Sequence, residues 1–184
     1  MSQSVLKQIF KRYLNDKGNG QQSRSLTANE IVLARSVFGD SIDLDDVKLK
    51  TAWWVLKNYA VSPNGNIYFN SADWITDFSQ SSLSKQSWLI HELTHIWQLQ
   101  QGIKVVRGAL IDRRYDYVLK AGKSFFKYGI EQQARIVQDY FLRRQRGHDC
   151  RDFEQCIPFL TAVSGSEISD NDSSFTVSSS PYDK

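Results

Sequence analysis

Cysteine, proline and net charge are all scarce in this sequence. Its 184 residues include two cysteines and three prolines, and the formal net charge is only +3. The two cysteines, Cys150 and Cys156, are too few for a disulfide scaffold, and without a C-x₂-C pair they do not indicate a structural zinc site. We expect free thiols, with a bridge between the two as the alternative. So small an excess of basic residues does not indicate a nucleic-acid-binding protein.

Long apolar runs are missing as well, which bears on membranes and on export. No stretch approaches the ~18 consecutive apolar residues of a membrane-spanning helix, so the sequence predicts no membrane span. Near the amino terminus Lys7, Lys11 and Arg12 interrupt the apolar positions, so this segment does not resemble a secretory signal. We therefore expect cytoplasmic synthesis without a signal peptide, and any export would use another route.

The fractions of hydrophobic and charged residues are typical of a globular protein, and we expect one domain with an additional segment at each end. Hydrophobic residues make up 41% of the chain and charged residues 23%. Apolar residues recur at helical spacing between Val5 and Leu14, so residues 1–25 are predicted to be an amphipathic helix and a loop. Residues 26–163 are predicted to form the main domain. Residues 164–184 are rich in serine and aspartate, and this composition predicts a flexible tail.

Local patterns within the main domain predict an α+β fold that is mainly helical. Thr27 and Glu30 form the pattern of a capping box, which predicts a helix as far as Phe38. Alternating or β-prone residues predict strands over 47–51 and 66–70, and residues 21–25 are interpreted as a loop. Ser84 is predicted to cap a helix over 85–101, and a second long helix is predicted over 130–145. The two strands would form a small sheet beside these helices.

The chemistry is carried by an H-E-x-x-H motif, formed by His91, Glu92 and His95. Residues four apart share one face of a helix, so both imidazoles can bind one metal ion. Glu92 would project from the edge of that face, within reach of a metal-bound water. Two nitrogen ligands and a carboxylate base are what a zinc hydrolase requires, so Zn²⁺ is the expected cofactor.

Composition alone does not account for this motif. With three His and five Glu in the chain, shuffling would produce it roughly once in a thousand sequences. The apolar residues around it predict a helix that is buried on its other sides. Two alternatives stay open: a buried helix whose histidines hydrogen-bond to neighbours, and a metal site without catalysis.

The third metal ligand is predicted to be Glu131. It opens the long second helix, 36 residues after His95, which is enough chain to bring that helix back against the first. A carboxylate at a helix start is also an ordinary capping choice, so this alternative remains. The fallback ligands are Asp139, His148 and Glu154, and Asp139 could instead orient a ligating imidazole. Groups able to stabilise an oxyanion are Arg113, Arg114, Tyr115, Tyr117, Tyr128 and Arg135.

An ordered series of features resembles a known family over about three-quarters of the chain. The features are Phe38-Gly39, the strand around Val47, the turn at Gly65 before residues 66–69, the sequence His91-Glu-Leu-Thr-His95 with a glutamine-rich end, and residues 128–141. Together they are similar to the zincin-like domain of extracellular contractile injection systems and of Rhs- and Vgr-related proteins. This resemblance implies a zincin fold and a metallopeptidase, either as an injected effector or as a factor that processes one.

The predicted reaction is hydrolysis of a peptide bond by a zinc-activated water, with Glu92 as general base and His91, His95 and Glu131 as metal ligands. The strand over 66–70 is predicted to line the cleft as an edge to which an extended peptide adds. The partners would be a peptide or protein substrate and a secretion apparatus, with export by a contractile or type VI system. Two other functions stay open: hydrolysis of a peptide cross-link in the cell wall, and a non-catalytic zinc-binding scaffold.

Overall fold

A computed structural model describes residues 21–103 and 115–161, together with Gln8, Lys11 and Arg12. The fold is α+β, as predicted, and about half of the described residues are helical. The predicted N-terminal helix and C-terminal tail lie essentially outside the described residues, so the division at residues 25 and 163 stays a prediction. In chain order the elements are β1 (Ser23–Ser25), α1 (Ala28–Phe38), β2 (Lys48–Thr51), β3 (Ala60–Val61), β4 (Ile67–Phe69), α2 (Leu83–Gln100), α3 (Ile130–Gln145), α4 (Arg151–Cys156) and α5 (Pro158–Thr161).

The sheet has four short strands in the order β1-β2-β4-β3. The two predicted strands are confirmed as β2 and β4, which run parallel with Leu49 opposite Ile67. β1 and β3 pair antiparallel on the two outer sides. The prediction that the 66–70 strand is an edge is therefore wrong. β4 lies inside the sheet, fully buried, and β3 occupies the edge beyond it.

The interpretation of residues 21–25 as a loop is also wrong, because Ser23–Ser25 form β1. This strand has no apolar alternation: both serines are exposed and only Arg24 is half-buried. Its pairing with β2 and the contacts of Arg24 hold it in place. Both Arg24 Nη atoms donate to the carboxylate of Glu30, at 2.7 and 2.8 Å. Because its residues are polar, this strand cannot be predicted from a hydrophobic pattern in the sequence.

The predicted capping box of α1 is confirmed. Thr27 Oγ1 accepts from the Glu30 backbone N–H at 3.1 Å, and Glu30 Oε2 accepts from the Thr27 N–H at 2.8 Å. The helix ends at Phe38, and Gly39 follows with a φ of 53°, a conformation that favours glycine. Glu30 is completely buried and also accepts from the Phe78 N–H at 2.7 Å. It thus ties β1, α1 and the segment before α2 together.

Helix α2 begins two residues earlier than predicted. Ser82, rather than Ser84, is the N-cap, and its Oγ accepts from the Lys85 N–H at 3.4 Å. Leu83, the first residue of the helix, packs against the core. The helix ends at Gln100, and Gly102 follows with a positive φ of 76°. The bounds of α3, Ile130–Gln145, agree with the prediction.

One continuous apolar core joins the sheet, α1, α2 and α3. Phe69 of β4 packs on Trp88 of α2 with ring centroids 5.1 Å apart. At the other end of α2, Trp97 packs on Phe159 of α5, with centroids 5.0 Å apart. Within the described residues no helix combines the length and apolarity that a bilayer crossing requires. Both cysteines are free thiols, as expected.

Candidate metal centre

Two helices place three metal-ligating side chains together. His91 and His95 lie one turn apart on α2, and Glu131 is in the first turn of α3. The Nε2 atom of His91 is 3.4 Å from Glu131 Oε2, and that of His95 is 3.5 Å from the same oxygen. The imidazole rings have centroids 5.0 Å apart and planes at 81°, so their nitrogens converge on the carboxylate. The structure therefore brings together the three residues predicted as ligands.

The distances suit a zinc ion. Ligand atoms that bind one Zn²⁺ tetrahedrally, with bond lengths of ~2.0–2.1 Å, lie about 3.3 Å apart. Here two of the pairs are 3.4 and 3.5 Å apart, and all three ligand atoms lie within 4.8 Å of one another. Two imidazoles and one carboxylate are also the donor set of catalytic zinc sites that keep one position open. The group fits the cofactor in both spacing and chemistry.

The site is buried but not sealed. His91, His95 and Glu131 keep 8%, 6% and 6% of their surface exposed. In the part of the chain that the structure describes, no further His, Cys, Asp or Glu joins these three residues as a potential ligand. A structural zinc site takes four protein ligands, so the three-ligand arrangement is typical of a site with an open position.

Electrostatics around the three ligands favour a positive charge between them. Burial alone would lower the pKa of His95, but the negative charge of Glu131 and its hydrogen bond outweigh burial and raise that pKa to about 9. Burial alone would raise the pKa of Glu131, but the charge of His95 and the hydrogen bonds from both imidazoles hold it well below its usual range. A proton satisfies this arrangement without metal, and a metal cation can replace the proton.

Glu92, the predicted general base, lies beside this group and is 4% exposed. Its charge is among the contributions that raise the pKa of His95. Its Oε2 accepts a hydrogen bond of 2.9 Å from Ser62 Oγ. Ser62 directly follows β3, so the edge strand of the sheet reaches the motif helix at this point. Ser62 could not be identified from the sequence, because a serine before a proline indicates only a turn.

The outer partner of His95 is Gln98 rather than Asp139. His95 Nδ1 and Gln98 Oε1 are 2.8 Å apart, within the same helix. Asp139, predicted to orient a ligating imidazole, instead accepts from Tyr117 Oη at 2.9 Å and pairs with Arg135. Asp139 lies more than two turns along α3 from Glu131. Gln98 could have been found from its position three residues after His95, on the same helix face.

The fallback ligands do not join the centre. His148 and Glu154 are both exposed. The carboxylate of Asp139 contacts Tyr117 and Arg135. Of the candidate oxyanion groups, Tyr115 has its ring stacked on that of His91 at a centroid distance of 6.3 Å. Tyr128 Oη donates to the Val118 carbonyl, which makes it part of the structural framework. Arg113 and Arg114 lie outside the described residues.

Comparison with known proteins places the chain among secretion-associated domains. No model of a known protein family matches it. It is 41% identical, over 138 residues, to the type VI secretion system spike protein VgrG2b of Pseudomonas aeruginosa. The match covers 68% of this chain but only 14% of that much longer protein.

The chain also matches a solved structure of one domain of that protein. The effector domain of Pseudomonas aeruginosa VgrG2b superposes with a TM-score of 0.65 at 35% identity, over 82% of this chain and 93% of that domain. The predicted link to Vgr-related proteins is therefore confirmed. The chain belongs to the family of the VgrG2b effector domain of type VI secretion.

Proposed function

We propose that this chain is a zinc-dependent metallopeptidase of zincin-like fold, acting as an effector associated with type VI secretion. The observation that carries the proposal is the convergence of His91, His95 and Glu131 at 3.4–3.5 Å, with the Glu92 carboxylate beside them. A buried group of this composition has one common chemical use, which is to hold a metal that keeps an open position.

Each residue of the site has a defined role in this reaction. His91, His95 and Glu131 would hold zinc, and a bound zinc would supply a more acidic water and a polarised scissile carbonyl. Glu92 accepts the proton of the attacking water and returns it to the leaving amine. Ser62 holds one oxygen of Glu92, which leaves the other oxygen for the proton transfer. Tyr115, whose ring stacks on that of His91, is the residue we assign to stabilise the oxyanion through its hydroxyl.

Two observations favour this function over the alternatives. A buried helix whose histidines only pair with neighbours would not need both Nε2 atoms to face one carboxylate, as they do here. A closed structural zinc site needs four protein ligands, and the described residues supply three. The relationship to an effector domain supports export by a type VI system and a substrate outside the producing compartment.

The decisive experiment combines metal analysis with a matched pair of variants. The wild type, Glu92→Gln and His95→Ala are purified without added metal, and zinc is measured per chain. We expect about one zinc in the wild type and in Glu92→Gln, and none in His95→Ala. Activity on an unfolded protein should fall by a factor of 10²–10⁴ in Glu92→Gln, the usual contribution of a general base.

The substrate class is tested in the same assay. Wild type and Glu92→Gln are incubated with unfolded protein and, separately, with cell-wall peptidoglycan. Cleavage of the protein alone supports the peptidase, whereas release of cross-link peptides alone would establish the cell-wall amide hydrolase instead. Full activity in Glu92→Gln would contradict the mechanism, and zinc-loaded wild type without activity on either substrate would favour a scaffold.

A further inference from the structure

A chain of buried amide groups leads from the metal centre to the first turn of α3. His95 Nδ1 is 2.8 Å from Gln98 Oε1. Gln98 Nε2 donates to Gln133 Oε1 at 2.9 Å and to the Ile130 carbonyl at 3.1 Å. Gln133 Nε2 in turn donates to the Tyr128 carbonyl at 2.8 Å. Gln98 is completely buried and Gln133 is 3% exposed.

The backbone carbonyls of Tyr128 and Ile130 determine the direction of every hydrogen bond in this series. A backbone carbonyl can only accept, so Gln133 must turn its amino group toward Tyr128 and its oxygen toward Gln98. Gln98 then faces two acceptors, the Ile130 carbonyl and Gln133 Oε1, and must offer its amino group to both. Its own oxygen is left facing His95, and that oxygen needs a proton on Nδ1.

A proton on Nδ1 has a direct consequence for metal binding. Neutral imidazole carries its single proton on one nitrogen and its lone pair on the other. If Nδ1 holds the proton, Nε2 holds the lone pair, and Nε2 is the atom 3.5 Å from Glu131. Only this tautomer of His95 would present the lone pair of Nε2 to an ion that Glu131 also held.

The same bonds also set the separation of the two helices at the site. The backbone carbonyls that accept the last of these hydrogen bonds belong to Tyr128, just before the N-cap of α3, and to Ile130, the residue before Glu131. Gln98 lies three residues after His95 on α2. The amides therefore connect the helix that carries the imidazoles to the turn that carries the carboxylate.

We propose that Gln98 and Gln133 are positioning residues that hold His95 as the Nδ1–H tautomer and fix its distance to Glu131. This rests on the proposed metal site but adds residues that lie outside the H-E-x-x-H motif. An amide suits this task because it carries no charge and, when all its bonds are made, leaves no buried polar group unpaired.

The test uses three Gln→Met substitutions. Each keeps the approximate size of the side chain and removes its amide, at a different position in the α2–α3 interface. Gln98→Met removes the acceptor of His95, and Gln133→Met removes one of the two groups that orient Gln98. Gln138→Met is the control: Gln138 lies in the same α2–α3 interface, and its Nε2 donates to Ser87 Oγ at 3.2 Å. Zinc affinity is measured by competition with a chromophoric chelator, on the full chain.

We expect a graded loss of zinc affinity. Gln98→Met should bind zinc 10–100-fold more weakly, the usual effect of removing an outer partner of a metal ligand. Gln133→Met should lose less, since the Ile130 carbonyl still orients Gln98, and Gln138→Met should bind like the wild type. Equal affinity in Gln98→Met and wild type would overturn the proposal, and so would an equal loss in all three variants.

A spectroscopic measurement on the wild type tests the tautomer itself. In the zinc-loaded protein labelled with ¹⁵N, long-range proton–nitrogen NMR should show His95 with a slowly exchanging proton on Nδ1 and the metal on Nε2. Ligation through Nδ1 would overturn the proposal even if Gln98→Met failed to fold. A wild type that binds no zinc at all would instead overturn the proposed function, so the two failures are distinguishable.

Discussion

Ser62 Oγ donates a hydrogen bond of 2.9 Å to Glu92 Oε2, and both side chains are buried. The two residues are 30 positions apart, one at the end of edge strand β3 and the other on helix α2. The bond therefore joins the edge of the sheet to the general base of the proposed reaction. It also directs which carboxylate oxygen is left for the water.

Removal of this hydroxyl should slow the reaction and leave the metal in place. In Ser62→Ala we expect kcat/KM on a peptide substrate to fall about tenfold, because a misoriented base transfers the proton less effectively. A tenfold change corresponds to about 1.4 kcal/mol of transition-state stabilisation, a common value for one hydrogen bond to a charged group. Zinc content, measured on the same sample, should be that of the wild type.

Ser87→Ala is the matched control for this variant. Ser87 is a serine of α2, 2% exposed, whose hydroxyl donates to the Ser84 carbonyl, away from Glu92. Its removal should leave kcat/KM within about twofold, since the hydroxyl touches no group of the site. If Ser62→Ala were as active as Ser87→Ala, the Ser62 hydroxyl would have no part in orienting Glu92.

The sequence was sufficient to predict that His91, His95 and Glu131 come together, because their spacing follows helix geometry. His91 and His95 are four residues apart on a helix whose apolar residues predict burial, and that spacing alone brings their imidazoles together. Glu131 could be predicted since a long amphipathic helix begins beside it and must return to the same core. The capping box predicted α1, and periodicity predicted α3, both with accurate bounds.

Features that depend on partners distant in sequence could not be predicted. β1 is polar, so it is defined by its pairing with β2 rather than by its own side chains. The place of β4 inside the sheet depends on β3, a two-residue strand too short to produce a pattern. Gln133 is one of four glutamines on α3, and nothing in the sequence distinguishes it from the others. Only the three-dimensional arrangement shows that it contacts Gln98.

Replacement of the third ligand should remove the metal without unfolding the chain. Glu131→Gln keeps the size of the side chain but loses the charge that balances the cation, and a neutral amide oxygen is a much weaker zinc ligand. We expect zinc affinity to fall by more than about 100-fold, beyond the range seen for outer partners. Chelator competition measures this directly.

Asp139→Asn provides the comparison for Glu131→Gln. Asp139 is a carboxylate on the same helix, but it contacts Tyr117 and Arg135 rather than the imidazoles. Its neutralisation should leave zinc affinity unchanged within about twofold, because the group lies outside the ligand set. A larger loss in Asp139→Asn than in Glu131→Gln would show that the wrong carboxylate has been assigned.

Zinc removal should lower the thermal stability of the wild type. An ion that binds only the folded state stabilises it by about 2.7 kcal/mol at a concentration 100 times the dissociation constant. We therefore expect a chelator to lower the Tm of the wild type by several degrees, measured by circular dichroism. Glu131→Gln should show little change with chelator, since it starts without the metal. A wild-type Tm that does not respond to chelator or to added zinc would contradict a metal site in the folded protein.

The carboxylate of Glu30 holds β1, α1 and the segment before α2 together. Glu30 is completely buried and bonds to Arg24 through both oxygens, at 2.7 and 2.8 Å. Arg24→Met would leave that charge buried without its cation, so we expect the free energy of unfolding to fall by about 3 kcal/mol. Asp40→Asn removes a fully exposed carboxylate 3.7 Å from Arg35 and should have no measurable effect. Urea unfolding of both variants measures the difference. Equal stabilities would mean that the Arg24–Glu30 pair contributes no more than a surface contact, and that the pairing with β2 is enough to hold β1 in place.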